Sequence, residues 1–125
     1  MSAYQVKSFA KINLALNVTG KLASLHKIES IVSFIDLHDL IFIKKINESR
    51  HRISFYGKFS KNISKNNTVK KLFKILEENK LLKNKKFQIK IKKNIPQKAG
   101  LGGGSMNAAN ILNFSKAFNK LSESN

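Results

Sequence analysis

Four glycines, Gly100, Gly102, Gly103 and Gly104, fall within five positions of the run IPQKAGLGGGSMNAA at residues 95–109. Before the run, Phe87, Ile89 and Ile91 alternate with Gln88, Lys90 and Lys92, the period of a strand with one buried face. After it, Ala108, Ile111, Leu112, Ala117, Phe118 and Leu121 share one broad helical face. A plain turn between strand and helix needs roughly one or two glycines, so four suggest a further purpose. Glycine reaches positive φ and leaves its N–H uncovered, and successive bare N–H groups form an anion-binding concavity. A helix starting near Ser105 adds unpaired N–H groups and the positive end of its dipole. The run therefore reads as a cradle for a di- or triphosphate, with Ser105 capping the helix or offering its hydroxyl. Two better-known phosphate loops are excluded. There is no Gly-Lys-Ser/Thr of a Walker A loop, and G-x-G-x-x-G fails at Ser105 when counted from Gly100 and at Asn107 when counted from Gly102.

Upstream, Ile12, Leu14, Leu16 and Val18 alternate with Lys11, Asn13, Ala15 and Asn17, predicting a strand over 9–18 closed by Thr19-Gly20. Residues 30–36 and 40–46 are apolar and β-branched, and read as two strands around a tight connection at Asp36-Leu37-His38-Asp39, where turn chemistry accounts for both aspartates. Ile53 and Phe55 suggest another short strand, and 57–67 a polar loop. Asn67 offers an N-cap, and Val69, Leu72, Phe73 and Leu76 follow at helical spacing, predicting a helix to about Leu82. Strands that cluster first, then helix, strand, glycine-rich loop and helix, point to an α+β fold rather than a doubly wound parallel sheet.

At 125 residues the chain is long enough for one domain with a real core. It has no cysteine, which excludes a disulfide framework, a thiolate metal site and a cysteine nucleophile, and no set of metal ligands is picked out. No apolar stretch approaches the roughly 20 residues that span a bilayer, so a cytoplasmic protein without a membrane partner is expected. The net charge is +17, which invites a polyanion such as nucleic acid. Against this, Lys, Asn and Ile, which have AT-rich codons, number 22, 14 and 14. The only arginines, the side chains best suited to bidentate base contacts, are Arg50 and Arg52. The lysines run from Lys7 to Lys120 without massing. Nucleic-acid binding on a basic scaffold stands as the alternative function.

Pro96 through Ala109 resembles the second motif of the GHMP small-molecule kinases: a proline, then G-L-G with small residues, then an Ala-rich helix. The triple glycine in AGLGGGSMNAA is similar to the branch that acts on 4-diphosphocytidyl-2-C-methyl-D-erythritol. Ala10-Lys11-Ile12-Asn13-Leu14 resembles that branch's A-K-[ILV]-N-L motif, Thr19-Gly20 and His26 follow in register, and Ser33 to Asp39 resembles its second-strand region. The resemblance covers about residues 8–118. It implies the two-layer α+β amino-terminal domain of this superfamily, similar to domain 2 of a ribosomal small-subunit protein, over residues 1–125. It also implies Mg2+-ATP-dependent phosphorylation of the 2-hydroxyl of that cytidyl substrate in non-mevalonate isoprenoid biosynthesis.

On the same basis Lys11 matches the active-site lysine. Pro96, Gln97, Lys98, Ala99, Gly100, Leu101, Gly102, Gly103, Gly104, Ser105 and Met106 would wrap the ATP phosphates. Asn13 and His26 match substrate contacts, His26 towards the cytidine base. Three departures bear on this. Ala23-Ser24-Leu25-His26 stands where the family has D-G-Y-H, Lys98 where it has Gly, and Met106 where it has Ser. The family's catalytic aspartate and carboxy-terminal domain lie beyond the glycine-rich helix. The expectation is an incomplete domain with impaired or no activity alone, with a separate carboxy-terminal chain as a possible partner.

Overall fold

Alternation of apolar and polar residues builds a sheet with one covered face, and two helices cover it. The computed structural model describes residues 4–22, 25–97 and 103–123, with side chains placed for 4–11, 36–97 and 103–120. The elements are β1 (Tyr4–Leu22), β2 (Leu25–Ile46), β3 (Arg52–Tyr56), α1 (Thr68–Glu78), β4 (Lys86–Lys92) and α2 (Gly103–Glu123). The sheet order is β1-β2-β4-β3. β1 pairs antiparallel with β2, β2 antiparallel with β4, and β3 parallel with β4. This is the α+β arrangement expected from the order of patterns.

Boundaries differ from the sequence reading first in the β1–β2 pair. The two strands expected at 30–36 and 40–46 are one strand, β2, which pairs with β1 from Tyr4↔Ile43 to Leu22↔Leu25. Asp36 to Asp39 form no turn. Phe9 opposes His38 while Lys11 opposes Phe34, so β2 carries its extra residues as a bulge. The reason is tertiary: Asp39 is fully buried and hydrogen-bonded to segments far along the chain, which outweighs its local turn preference. β1 likewise runs past the expected stop at Thr19-Gly20, to Leu22.

The second difference is at α1. Asn67 caps it as expected, its Oδ1 accepting the Lys70 amide at 3.0 Å. The helix ends at Glu78 rather than Leu82, because Asn79 turns its side chain back to donate to the Ile75 carbonyl at 2.8 Å. Leu81 N then donates to Leu76 O and Lys80 N to Glu77 O, the paired bonds of a Schellman stop, with Lys80 in the left-handed position at φ 54°. Leu82 still reaches the core.

The core lies between the sheet and the helices. Ile41, Ile43, Phe87, Ile89 and Ile91 from the two central strands meet Val69, Phe73 and Leu76 of α1 and Ile111 of α2. The opposite sheet face carries Lys7, Lys44, Arg52, Lys90 and Lys92, all exposed.

At the edge of the core the His51 ring is stacked 6.1 Å from Phe87 and tilted 4.8 Å from Phe73. Its Nδ1 accepts the Phe87 amide at 3.0 Å, so the neutral ring carries its proton on Nε2. That atom faces Glu77 Oε1 at 2.6 Å. Burial holds the His51 pKa below the ordinary histidine value, with Lys86 adding to the effect and Glu77 opposing it. The Lys86 hydrogen bond is the chief cause that holds the Glu77 carboxyl low.

Both shifts have one sign. The unfolded chain binds a proton at His51 near pH 6.5 that the folded chain resists, so this stability is complete above about pH 6.5 and falls as pH drops below it. Glu77 extends the loss through the carboxylate range. The expected result is a lower urea midpoint at pH 5 than at pH 7.5. His51→Asn, which keeps an acceptor near Nδ1, should flatten the upper part of that fall, as read from urea titrations at several pH values.

Candidate functional site

Because β3 and β4 are parallel neighbours, the helices that follow them start at the same end of the sheet. α1 begins after the 57–66 loop that leaves β3, and α2 begins past the carboxyl end of β4. Both amino-terminal ends border one cavity of about 400 Å³, within the size range of small-molecule sites. Asn67, Thr68 and Val69 line it from α1, and Gly103, Gly104 and Ser105 from α2. Pro96 and Gln97 form another part of the wall, and Phe55, Ile63 and Ile95 supply apolar surface. Gln97 is fixed by its Nε2, which donates to the carbonyls of Phe59 at 2.7 Å and Lys61 at 2.9 Å.

The electrostatics favour an anion. Each helix start presents amide N–H groups without partners in the helix, and the positive end of a dipole. Lys71 and Lys93 also line the cavity, and among the described residues no carboxylate does. Gly103 packs closely, since a Cβ there would lie 3.2 Å from Ile95 Cγ2, a tight contact from which Ile95 would have to give way. Gly104 is open: outside its own helix no heavy atom of the described residues lies within 4 Å of the position of a Cβ.

Asp39 lies beside this floor. Its Oδ2 accepts from Lys93 Nζ at 2.6 Å and Asn107 Nδ2 at 3.1 Å, and its Oδ1 from the amides of Asn94 at 2.7 Å and Ile95 at 2.9 Å. Asn107 is fully buried, lines the cavity and leaves its Oδ1 without a hydrogen-bond partner among the described residues.

Of the residues named from the sequence, the cavity brings together Pro96, Gln97, Gly103, Gly104 and Ser105. Lys98, Ala99, Gly100, Leu101 and Gly102 lie outside the described residues. The helix expected to start near Ser105 starts at Gly103, so Ser105 is its third residue and not a cap, and Gly103 and Gly104 are helical rather than loop glycines. Met106 does not line the cavity, and its carbonyl accepts from Asn110 Nδ2 at 2.9 Å.

Lys11 is exposed and alternates with the buried Ala10. It does not line the cavity. α2 runs antiparallel to β1, since Asn110 bonds Ser8 and Phe114 packs on Tyr4. The amino-terminal end of α2 therefore points towards the Lys11 end of that stretch of strand. Asn13 and His26 lie in β1 and β2, where Asn13 pairs with Val32 and His26 with Lys21; their side chains fall outside those described.

Sequence reasoning missed Lys93, Asn107 and the contribution of α1. The Asn67-Thr68 helix start was visible, but its convergence with α2 depends on the parallel pairing of β3 and β4.

A family profile described as GHMP kinases N terminal domain matches residues 67–125, which contain both helix starts. The likeness is to the amino-terminal portion of a GHMP kinase. A 4-diphosphocytidyl-2-C-methyl-D-erythritol kinase of Pelagibacter ubique is 66% identical over 114 residues, covering 91% of this chain and 41% of the relative. Its counterpart in Alkaliphilus metalliredigens is 41% identical over 113 residues, covering 90% of this chain and 38% of the relative. A crystal structure of 4-(cytidine 5'-diphospho)-2C-methyl-D-erythritol kinase shares the fold, with a TM-score of 0.67 at 24% identity over 92% of this chain and 40% of that one. The chain thus spans about two-fifths of the length of the curated relatives it matches. Among the described residues no helix is long and apolar enough to cross a membrane.

Proposed function

We propose that this chain is the nucleotide-binding part of a kinase that transfers the terminal phosphate of ATP to the 2-hydroxyl of 4-diphosphocytidyl-2-C-methyl-D-erythritol, in the cytoplasm. The observation that carries the proposal is the cavity itself: two helix starts and Lys71 converge on it, and the one other lining lysine, Lys93, is paired with Asp39 from behind. That arrangement suits a triphosphate, whose charge is met by fixed N–H dipoles and ammonium groups. The names of the relatives supply the acceptor substrate.

Phosphoryl transfer is mostly positioning and charge stabilisation. The first turn of α2, with Gly103, Gly104 and Ser105, would hold phosphate oxygens, and the α1 start with Pro96 and Gln97 would bound the rest of the nucleotide. Lys11 is the residue proposed to meet the acceptor hydroxyl, where a cation lowers the cost of the developing alkoxide. Asn13 and His26 are proposed to orient the cytidyl substrate, and the unplaced Lys98, Ala99, Gly100, Leu101 and Gly102 to complete the phosphate wrap.

Bound Mg2+ would neutralise phosphate charge. Among the described residues no group of three His, Cys, Asp or Glu could hold a metal. Neutral side-chain oxygens at the cavity include the Thr68 and Ser105 hydroxyls and the unpartnered Asn107 Oδ1. Such a set fits a magnesium held mainly by the nucleotide's own phosphates. The proposed division of labour places the acid that pairs with Lys11 on a separate carboxy-terminal portion.

The test combines binding and turnover. ATP titrated into the labelled chain should shift the amides of Thr68, Val69, Gly103, Gly104 and Ser105. Phosphate transfer should appear when the carboxy-terminal portion of a relative is added, and be lost in Lys11→Ala. Shifts confined to other residues would remove the nucleotide assignment.

A second reading is favoured by one observation, the row of exposed cations on the open sheet face at Lys7, Lys44, Arg52, Lys90 and Lys92. If that face takes single-stranded nucleic acid, log K should fall linearly with log salt, and shifts should map to β4 and β3 instead.

A further inference from the structure

The four hydrogen bonds to Asp39 tie three stretches of chain at one point. Asp39 belongs to β2. Asn94 and Ile95 belong to the segment leaving β4, and Asn107 to the second turn of α2. Residues 94–95 and 107 flank, in sequence, the whole glycine-rich run. A further bond, from Asn94 Nδ2 to the His38 carbonyl at 3.0 Å, repeats the tie to β2.

The fourth partner is Lys93, 5% exposed. Its Nζ lies 3.6 Å from where a Cβ on Gly103 would stand, so the ammonium that pairs with the carboxylate lies beside the first residue of α2. A buried ion pair is a poor source of stability, because desolvating two charges costs as much as their attraction returns. An apolar pair would hold the same elements together at least as well. What the ion pair adds is geometry: a planar carboxylate fixes four donors in direction, and it holds a cation at the floor of a cavity that suits an anion.

We infer that Asp39 is a positioning residue for the phosphate site: it sets the spacing between the Asn94–Ile95 segment and the first turns of α2 and holds the Lys93 ammonium beneath Gly103. This rests on the nucleotide reading of the cavity. It assigns Asp39 no contact with the nucleotide. It predicts that ATP affinity depends on Asp39 beyond any effect on folding.

The experiment compares the parent with Lys93→Met, Asp39→Asn/Lys93→Met and the milder Asn107→Ala, which cuts only the arm to α2. Thermal midpoints, amide exchange at Asn94 and Ile95, and ATP affinity by titration are read for each. The double variant should melt close to Lys93→Met. It should nevertheless exchange Asn94 and Ile95 faster and bind ATP at least several-fold more weakly than Lys93→Met. Asn107→Ala should lower the midpoint less than Lys93→Met does, speed exchange at Asn94 and Ile95, and weaken ATP binding by more than its midpoint accounts for. A double variant that binds as tightly as Lys93→Met overturns the inference, as does exchange equal to the parent's. The same holds if affinity falls only in proportion to the midpoint, the mark of a merely structural role. If the parent itself binds no ATP, the nucleotide reading fails by that result, and the exchange arm still decides whether Asp39 sets the geometry. Should the double variant not fold, Asn107→Ala decides through both readouts, and unchanged affinity or unchanged exchange at Asn94 and Ile95 sinks the proposal.

Discussion

Gly104→Asp is expected to fold as well as the parent and to lose ATP binding. Gly104 is the second residue of α2 and exposed, and outside its own helix a Cβ there would meet no heavy atom of the described residues within 4 Å, so an aspartate fits against them without displacement. At a helix amino terminus a carboxylate is favourable by about 0.3–1 kcal/mol, and the exchange also removes a glycine from a helix. The thermal midpoint should stay level or rise slightly. Binding moves the other way. A carboxylate about 4 Å from a phosphate is repelled by about 4 kcal/mol at an effective dielectric of 20, so affinity should drop by roughly a hundredfold or more. Gly104→Asn, of the same size without the charge, should lose much less. Titration calorimetry with a parallel melt measures both quantities. Equal ATP affinity in Gly104→Asp and the parent would place the phosphates somewhere other than the start of α2.

The opposed signs in that variant follow from where the glycines sit, a point only partly legible beforehand. The glycine run announced an anion site because local backbone chemistry dictates it. That two of its glycines are helical did not show, since Gly and helix are locally at odds and the packing of Gly103 on Ile95 decides the outcome. The strands and helices were readable from period alone, and the Asn67 cap from its residue type. β2 was misread as two strands because Asp36 and Asp39 carry turn chemistry, while the partners that overrule it are distant: Lys93 is 54 residues from Asp39 and Asn107 is 68. Lys93 was hidden as one of 22 lysines. Its burial distinguishes it, and burial here follows from Asp39. The meeting of α1 and α2 at the cavity required the parallel register of β3 on β4, which no local pattern encodes.

The largest loss of stability should come from Phe87→Ala. Phe87 is 1% exposed in β4, a central strand, and the edges of its contacts are rings on α2: Phe114 at 5.6 Å and Phe118 at 5.2 Å, both nearly perpendicular to it. Deleting a buried phenyl costs about 3–5 kcal/mol through lost transfer energy and the cavity left behind, and each edge-to-face pair adds roughly 0.5–1.5 kcal/mol beyond area. Domains of this size hold only about 5–15 kcal/mol in total, so the variant should unfold at much lower urea, with the slope unchanged. Phe118→Ala removes a half-buried ring at the rim of the same cluster and should cost less. These rings sit 11 and 15 residues beyond Gly103, on the later turns of α2, while Asp39 and Asn107 hold its start. The fraction of Phe87→Ala that remains folded should therefore bind ATP with the parent's affinity. A urea titration showing a loss below about 1 kcal/mol would mean that α2 is not held to the sheet through Phe87. A matching fall in affinity would mean that the two ends of α2 are not independently anchored.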